Sequence, residues 1–126
     1  MKKRKGCIFR IKTWEILESV VLALIMETPD HGYSLVERIS EFGINPSVLE
    51  QGVIYRILRN LEQRGLISSK WETEGSGAAK RIYNISEEGK TYLINFVGLE
   101  REKVKKLNEI FIKIDTLLKK ESEYES

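Results

Sequence analysis

Gly52-Val53-Ile54-Tyr55-Arg56-Ile57-Leu58-Arg59-Asn60-Leu61-Glu62-Gln63-Arg64-Gly65-Leu66-Ile67 is the stretch that decides how this chain folds. Its apolar residues Val53, Ile54, Ile57, Leu58 and Leu61 recur at helical spacing and form one stripe. Tyr55, Arg56, Arg59, Asn60 and Gln63 fall on the opposite face. Gly65 supplies a helix stop, and an apolar strand opens at Leu66-Ile67. Such a helix can dock its greasy face on a core and offer Arg, Asn, Gln and Tyr groups outward. A helix that reads the DNA major groove needs both faces, and a glycine stop into a strand is how it passes into a wing.

On the N-terminal side, Leu17, Val20, Val21, Leu24 and Ile25 predict a first helix, capped by Thr13 with Glu15 in its first turn. Thr28-Pro29-Asp30 ends it, because proline disfavours helix at the residue before it. A second helix is expected from Asp30 or His31, with a buried stripe of Leu35, Val36, Ile39 and Phe42 and a cap at Gly43. Ile44-Asn45-Pro46-Ser47 reads as a turn, which places the start of the third helix at Val48 or Glu50 and its end at Arg64.

On the C-terminal side, Leu66 to Trp71 and Arg81 to Ile85 read as two strands around a loop, Glu72 to Lys80, that contains Gly75-Ser76-Gly77. As a wing, this hairpin would bring Lys80 and Arg81 to phosphates or a minor groove; as a plain hairpin it would carry no ligand. Lys70 is expected to face solvent. Ser86 then caps a long fourth helix with Glu87 and Glu88 at its positive end. Val97, Val104, Leu107, Phe111, Ile114 and Leu118 repeat along it as an a/d seam, widened by Phe96, Ile110 and Leu117 and interrupted by Glu100. A second subunit is the expected cover for this seam, and the first helix of the same chain is the alternative.

The expected fold is therefore mainly α with a small β-hairpin: a winged helix-turn-helix plus a long C-terminal dimerisation helix. Its expected parts are a basic arm at 1–12, the winged domain at 13–86, the dimerisation helix at 87–120 and a tail at 121–126. A length of 126 residues suits one domain with a helical appendage, and 41% hydrophobic residues suffice for a modest core. The net charge of +2 says little about nucleic acid, but its distribution says more. Lys2, Lys3, Arg4, Lys5, Arg10 and Lys12 all precede the first acid, Glu15, as an arm for phosphates or as a solubilising tail.

Cys7 is the one cysteine, which excludes an intrachain disulfide and suits a reducing cytosol; no partner for redox chemistry at Cys7 can be named. The longest uncharged apolar run, Val20 to Met26, is too short to span a bilayer, so the expectation is a soluble cytoplasmic protein without membrane partners. His31 is the sole histidine and lacks the partners that a triad or a metal site needs. It is expected to hydrogen-bond at a helix start, and no catalytic residue, metal or cofactor is expected. Trp14 and Trp71 are expected in the core, with the lining of an effector cavity as the alternative.

Several motifs resemble the PadR family of winged-helix transcriptional regulators. Thr28-Pro29-Asp30-His31-Gly32-Tyr33-Ser34-Leu35 is similar to the family's small-Pro-x-His-Gly-Tyr-x-Leu. Gly52-Val53-Ile54-Tyr55-Arg56-Ile57-Leu58 resembles its Gly-Thr-Leu-Tyr-x-x-Leu, and Leu61 to Ile67 its Leu-Glu-x-x-Gly-Leu-Ile. Lys80 to Gly89 resembles its Arg-x-Tyr-x-Leu-Thr-x-x-Gly ending, so the likeness spans roughly Val20 to Gly89. One long terminal helix looks like the shorter subfamily, in which that helix builds the homodimer. Glu50 and Gln51 stand where the family often has Ser-Pro, and Val53 where it often has a hydroxyl residue. Valine can neither cap nor bond a phosphate, which leaves Gln51 as the donor at this helix start.

What the resemblance implies is a homodimeric, sequence-specific DNA-binding regulator, a repressor released by a small-molecule effector. Double-stranded DNA with a roughly palindromic operator would be its partner, touched by Gln51, Tyr55, Arg56, Arg59, Asn60, Lys80, Arg81 and Tyr33. Some relatives stack flat aromatic compounds on a tryptophan of the terminal helix. That helix here has none, although Tyr92, Phe96 and Phe111 are available to an aromatic or hydrophobic effector. A winged-helix protein-interaction module that does not bind DNA is the alternative, because fold alone does not decide function.

Overall fold

The computed structural model describes residues 13–50, 52–73 and 77–125. The basic arm with Cys7, Gln51, and Gly75-Ser76 of the expected wing tip lie outside them. The described residues form α1 (Thr13–Glu27), β1 (Asp30–His31), α2 (Gly32–Arg38), α3 (Val53–Gln63), β2 (Ile67–Glu72), β3 (Lys80–Ile85) and α4 (Glu87–Glu125). The chain divides into a unit of Thr13–Asn95 and a unit that holds the residues from Phe96 onward.

α1 is buried around most of its circumference, with Val20, Val21, Leu22, Leu24 and Ile25 all in the core. The expected stripe of α3 holds: Val53, Ile54, Ile57, Leu58 and Leu61 are all buried against the same cluster. Removing each such side chain from water is worth roughly 1.5–3 kcal/mol, which is what fixes the outward face of α3. Gly65 adopts φ 73° just past the helix end. Its N–H donates to the Glu62 carbonyl at 3.0 Å and the Leu66 N–H reaches back to Leu61 at 3.0 Å. This pair of bonds is a Schellman stop, and only a residue tolerant of the left-handed region completes it without strain.

The boundaries of α2 and α3 differ from expectation. α3 starts at Val53, not at Val48 or Glu50, because Gly52 sits at φ 87° and no helix runs through that conformation. Pro46–Val48 forms a separate 3-10 turn, capped by the Asn45 side chain accepting from the Ser47 N–H. α2 tightens after Arg38 into a 3-10 turn over Ile39–Phe42. The spacing that placed Phe42 under the core then no longer applies, and its ring is 51% exposed.

The expected hairpin is part of a three-stranded antiparallel sheet, ordered β1-β3-β2. β1 pairs Asp30 with Tyr83 and His31 with Ile82, so the turn before α2 is stitched to the wing strand. Arg38 braces that turn. Its guanidinium donates to the Leu24 and Thr28 carbonyls at 3.0 and 3.2 Å, to Asp30 Oδ2 at 3.1 Å and to Glu27 Oε1 at 3.0 Å. The Leu24 carbonyl, which also accepts the Thr28 N–H at 3.0 Å, and the Thr28 carbonyl just past α1 are tied to α2 in this way.

Neither tryptophan is in the core. Trp14 is 44% and Trp71 61% exposed. Trp71 shares a sheet face with buried Ile67, but lies four residues further out, where burial along β2 has faded. Trp14 stands in the first turn of α1, before the buried run begins at Glu18.

Ser86 caps α4 as expected: its Oγ accepts from the Gly89 N–H at 3.0 Å and donates to the Gly65 carbonyl at 2.6 Å. α4 continues through Glu125, past the expected end at 120. In the unit from Phe96 onward, Val97, Val104, Phe111, Ile114 and Leu118 of the seam are exposed and Leu107 is half-buried. Glu100 pairs with Lys103 at 2.9 Å. Among the described residues, no helix is long and apolar enough to cross a membrane.

Candidate nucleic-acid interface

The outward face of α3 carries Tyr55, Arg56, Arg59 and Asn60, all exposed. Beside it, β1 pairing brings the start of α2 and the start of β3 together. The result is a cleft of about 370 Å³ lined by His31, Gly32, Tyr33, Tyr55, Lys80, Arg81 and Tyr83. Four of the expected site residues, Tyr33, Tyr55, Lys80 and Arg81, thus come from three different elements to one place. The two cations at its rim and the phenol groups along its walls are the donors that a phosphate backbone recruits.

Gly32 is what lets this cleft close. A Cβ there would stand 2.5 Å from Tyr55 Cε1, so the ring lies flush on bare backbone. Tyr33 is 66% exposed with its ring outward, whereas Tyr55 is 45% exposed and held from below. Burial pushes the Tyr83 phenol above its ordinary pKa, against a smaller opposing pull from the Arg81 cation. Tyr83 is therefore neutral at physiological pH. His31 caps α2, as expected: Nδ1 accepts from the Ser34 N–H at 3.4 Å, and Nε2 lies 3.1 Å from the Ser34 hydroxyl.

The remaining expected residues behave differently from one another. Arg59 is exposed on the same helix face as Tyr55, one turn on. Arg56 is drawn toward α1, its guanidinium 5.5 Å from the centroid of the Trp14 ring. Arg81 stacks over Trp71 at 5.0 Å, its partner in the β2–β3 register. Asn60 Oδ1 accepts from Arg64 at 2.8 Å, which occupies one side of the amide that adenine pairing needs. Arg64 itself pairs with buried Glu18 at 3.1 Å and lies over the Tyr92 ring at 5.0 Å, closing the back of α3. Glu50 lines a neighbouring groove of about 320 Å³ on the far side of Tyr33 and Tyr55.

Sequence reasoning missed His31 and Tyr83 as cleft walls, and both arginine–tryptophan pairs. The cleft depends on β1, a strand of two residues with no pattern of its own. The Trp71–Arg81 pair could have been found by registering the hairpin on its apolar ends, Ile67 and Ile85.

A family model described as the transcriptional regulator PadR-like family matches residues 21–95. An uncharacterized protein from Lysinibacillus sphaericus is 28% identical over 96 residues, covering 76% of this chain and 87% of that protein. A solved structure of a conserved protein of unknown function, described as a potential transcriptional factor, superposes with a TM-score of 0.74. It is 34% identical, with 87% of this chain and 97% of that one covered. PadR of Bacillus subtilis, solved in complex with operator DNA, shares the fold at 24% identity and a TM-score of 0.54, over 65% of this chain and 47% of that one. With its winged-helix core inside the matched segment, the chain belongs to the PadR-like family of transcriptional regulators.

Proposed function

We propose that this chain is a homodimeric regulator that binds double-stranded DNA in a sequence-specific manner. The observation that carries the reading is the convergence of Tyr33, Tyr55, Lys80 and Arg81 on one cleft beside the exposed face of α3. In this reading α3 enters the major groove, with Arg59 toward base edges and Arg56 toward the backbone. Tyr33, Tyr55, Lys80 and Arg81 grip the phosphates beside it. The Bacillus subtilis relative was solved on operator DNA, which supports carrying the same kind of partner to this chain.

The exposed seam of α4 supports a second copy as the dimer partner. Val104, Phe111 and Leu118 are each more than half exposed, and a seam of this spacing pairs with another helix. A twofold dimer calls for a roughly palindromic operator, with half-sites about 10 bp apart or a multiple of it. Repression follows when such a site overlaps a promoter, and release by an aromatic or hydrophobic small molecule is the regulatory form of the same reading.

Binding to a promoter fragment, followed across salt concentrations, tests the DNA contact. Affinity should fall linearly on a log–log plot, by a slope of about 0.9 per phosphate neutralised. Unchanged affinity in both Arg59→Ala and Lys80→Ala would sink the docking. Light scattering tests the dimer: Leu107→Asp with Phe111→Asp should halve the mass, and an unchanged mass counts against the seam.

A further inference from the structure

The two tryptophans of this chain are both exposed, and each lies under an arginine of the proposed interface. Arg56 sits 5.5 Å from the Trp14 centroid and Arg81 5.0 Å from that of Trp71. A single exposed indole needs no explanation. Two indoles with two interface guanidiniums stacked on them are a repeated arrangement, built from different elements: α1 with α3, and β2 with β3.

We propose that Trp14 and Trp71 are positioning residues for phosphate binding, each backing a guanidinium with an aromatic face. The inference rests on the DNA-binding reading above. A stacked guanidinium keeps its donors while losing rotamers, so less freedom remains to be surrendered when a phosphate arrives. Neither Arg56 nor Arg81 forms an ion pair with a carboxylate among the described residues, so neither charge is neutralised, although Arg81 also faces the Tyr83 phenol. The third stack, Arg64 over Tyr92, is the contrast: its donors go to Glu18 and Asn60. Arg59 and Lys80 have no such ring beneath them among the described residues and serve as internal controls.

Position supports the assignment. Trp71 and Arg81 continue the inner sheet face of Ile67–Ile85 and Ser69–Tyr83 outward toward the wing tip. The stack thus extends a core face past the core, where a mostly exposed indole can carry a cation. Arg56 is held at the α1 edge of α3, away from the Tyr55–Gly32 contact. That edge suits backbone phosphate better than base edges, so both stacked arginines should act alike on any sequence.

Fluorescence anisotropy on a long mixed-sequence duplex, repeated across salt concentrations, tests this. Trp14→Ala and Trp71→Ala should each weaken binding about two- to fivefold, while the slope of log affinity against log salt stays as in the wild type. Arg56→Ala and Arg81→Ala should each lower that slope by about 0.9, since a phosphate contact is lost. Trp14→Phe and Trp71→Phe should recover most of the affinity, because a phenyl ring still offers a face.

In the pair Trp14→Ala with Arg56→Ala, the combined loss should be smaller than the product of the single losses. Multiplicative losses, or unchanged affinity in both tryptophan variants, overturn the inference while leaving the DNA-binding reading intact. Absence of duplex binding by the wild-type chain overturns both. Should an alanine variant melt, the Trp71→Phe protein still decides the matter, with Trp14 as its sole indole: Arg56→Ala must shift the Trp14 emission of the free protein. No shift means no stack.

Discussion

The unit of Thr13–Asn95 and the helical stretch beyond Phe96 use the same apolar residues to opposite ends. In the first, Leu22, Ile25, Ile39, Ile57, Leu58 and Leu61 have no exposed surface at all. In the second, Phe111 and Leu118 are 60% and 61% exposed. Both sets recur at helical spacing. The winged unit supplies both sides of its own contact, whereas the C-terminal stretch of α4 offers one side. Periodicity therefore announces a face, and only the rest of the fold says whether something in the same chain covers it.

The contrast can be broken most directly with Leu58→Ala. It should cost the winged unit about 2–5 kcal/mol in denaturant melts. Leu118→Ala, measured at concentrations where the chain is monomeric, should stay within about 0.5 kcal/mol. Equal costs at the two leucines would erase the distinction. A smaller but sharper probe is Gly32→Ala, which drives a methyl into the Tyr55 ring and should cost about 1–3 kcal/mol. DNA affinity should fall with it, since Tyr55 has to leave the cleft wall.

Gly98→Ala on α4 should do the reverse. Beyond its chain neighbours and the helix's own backbone, no described atom lies within 4 Å of a Cβ there, so thermal melting should rise by the equivalent of up to about 1 kcal/mol. The smallest expected effect is on the alkaline side. Tyr83 has a folded pKa raised above the usual 10.0, so its contribution to stability is full below that value. It is lost as pH rises through the folded value, because the buried phenol must then ionise. Tyr83→Phe should flatten the alkaline limb of a stability–pH curve and leave neutral pH unaffected; a change at pH 7 alone would refute this.

The stretch Gly52–Ile67 was legible because three independent signals agree there: a 3.6-residue stripe, a glycine at the stop, and β-forming residues after it. The start of α3 was not legible. Apolar Val48 and Leu49 extend the pattern backwards, and only the backbone of Gly52 reveals the break. β1 escaped because Asp30 and His31 are a strand only through the β3 groups that they meet. The cleft escaped with it, even though four of its walls had been singled out one by one. The tryptophans were misplaced because residue type predicts an apolar surrounding but not how far along a strand or helix the core extends.

One joint in the winged unit has a consequence for reach. The Ser86 N–H donates to the Leu66 carbonyl at 3.0 Å, the Ser86 hydroxyl to the Gly65 carbonyl at 2.6 Å, and Ile67 pairs with Ile85. Both legs of the hairpin are thereby riveted at their root to the end of α3 and the start of α4, and span is set only by how many residues lie outside the rivet. Lengthening each leg by two residues would carry the tip roughly 7 Å further without changing which side chains face inward. Lengthening by one would turn the outer cations to the wrong side. The wing is in this sense a ruler graduated in steps of two.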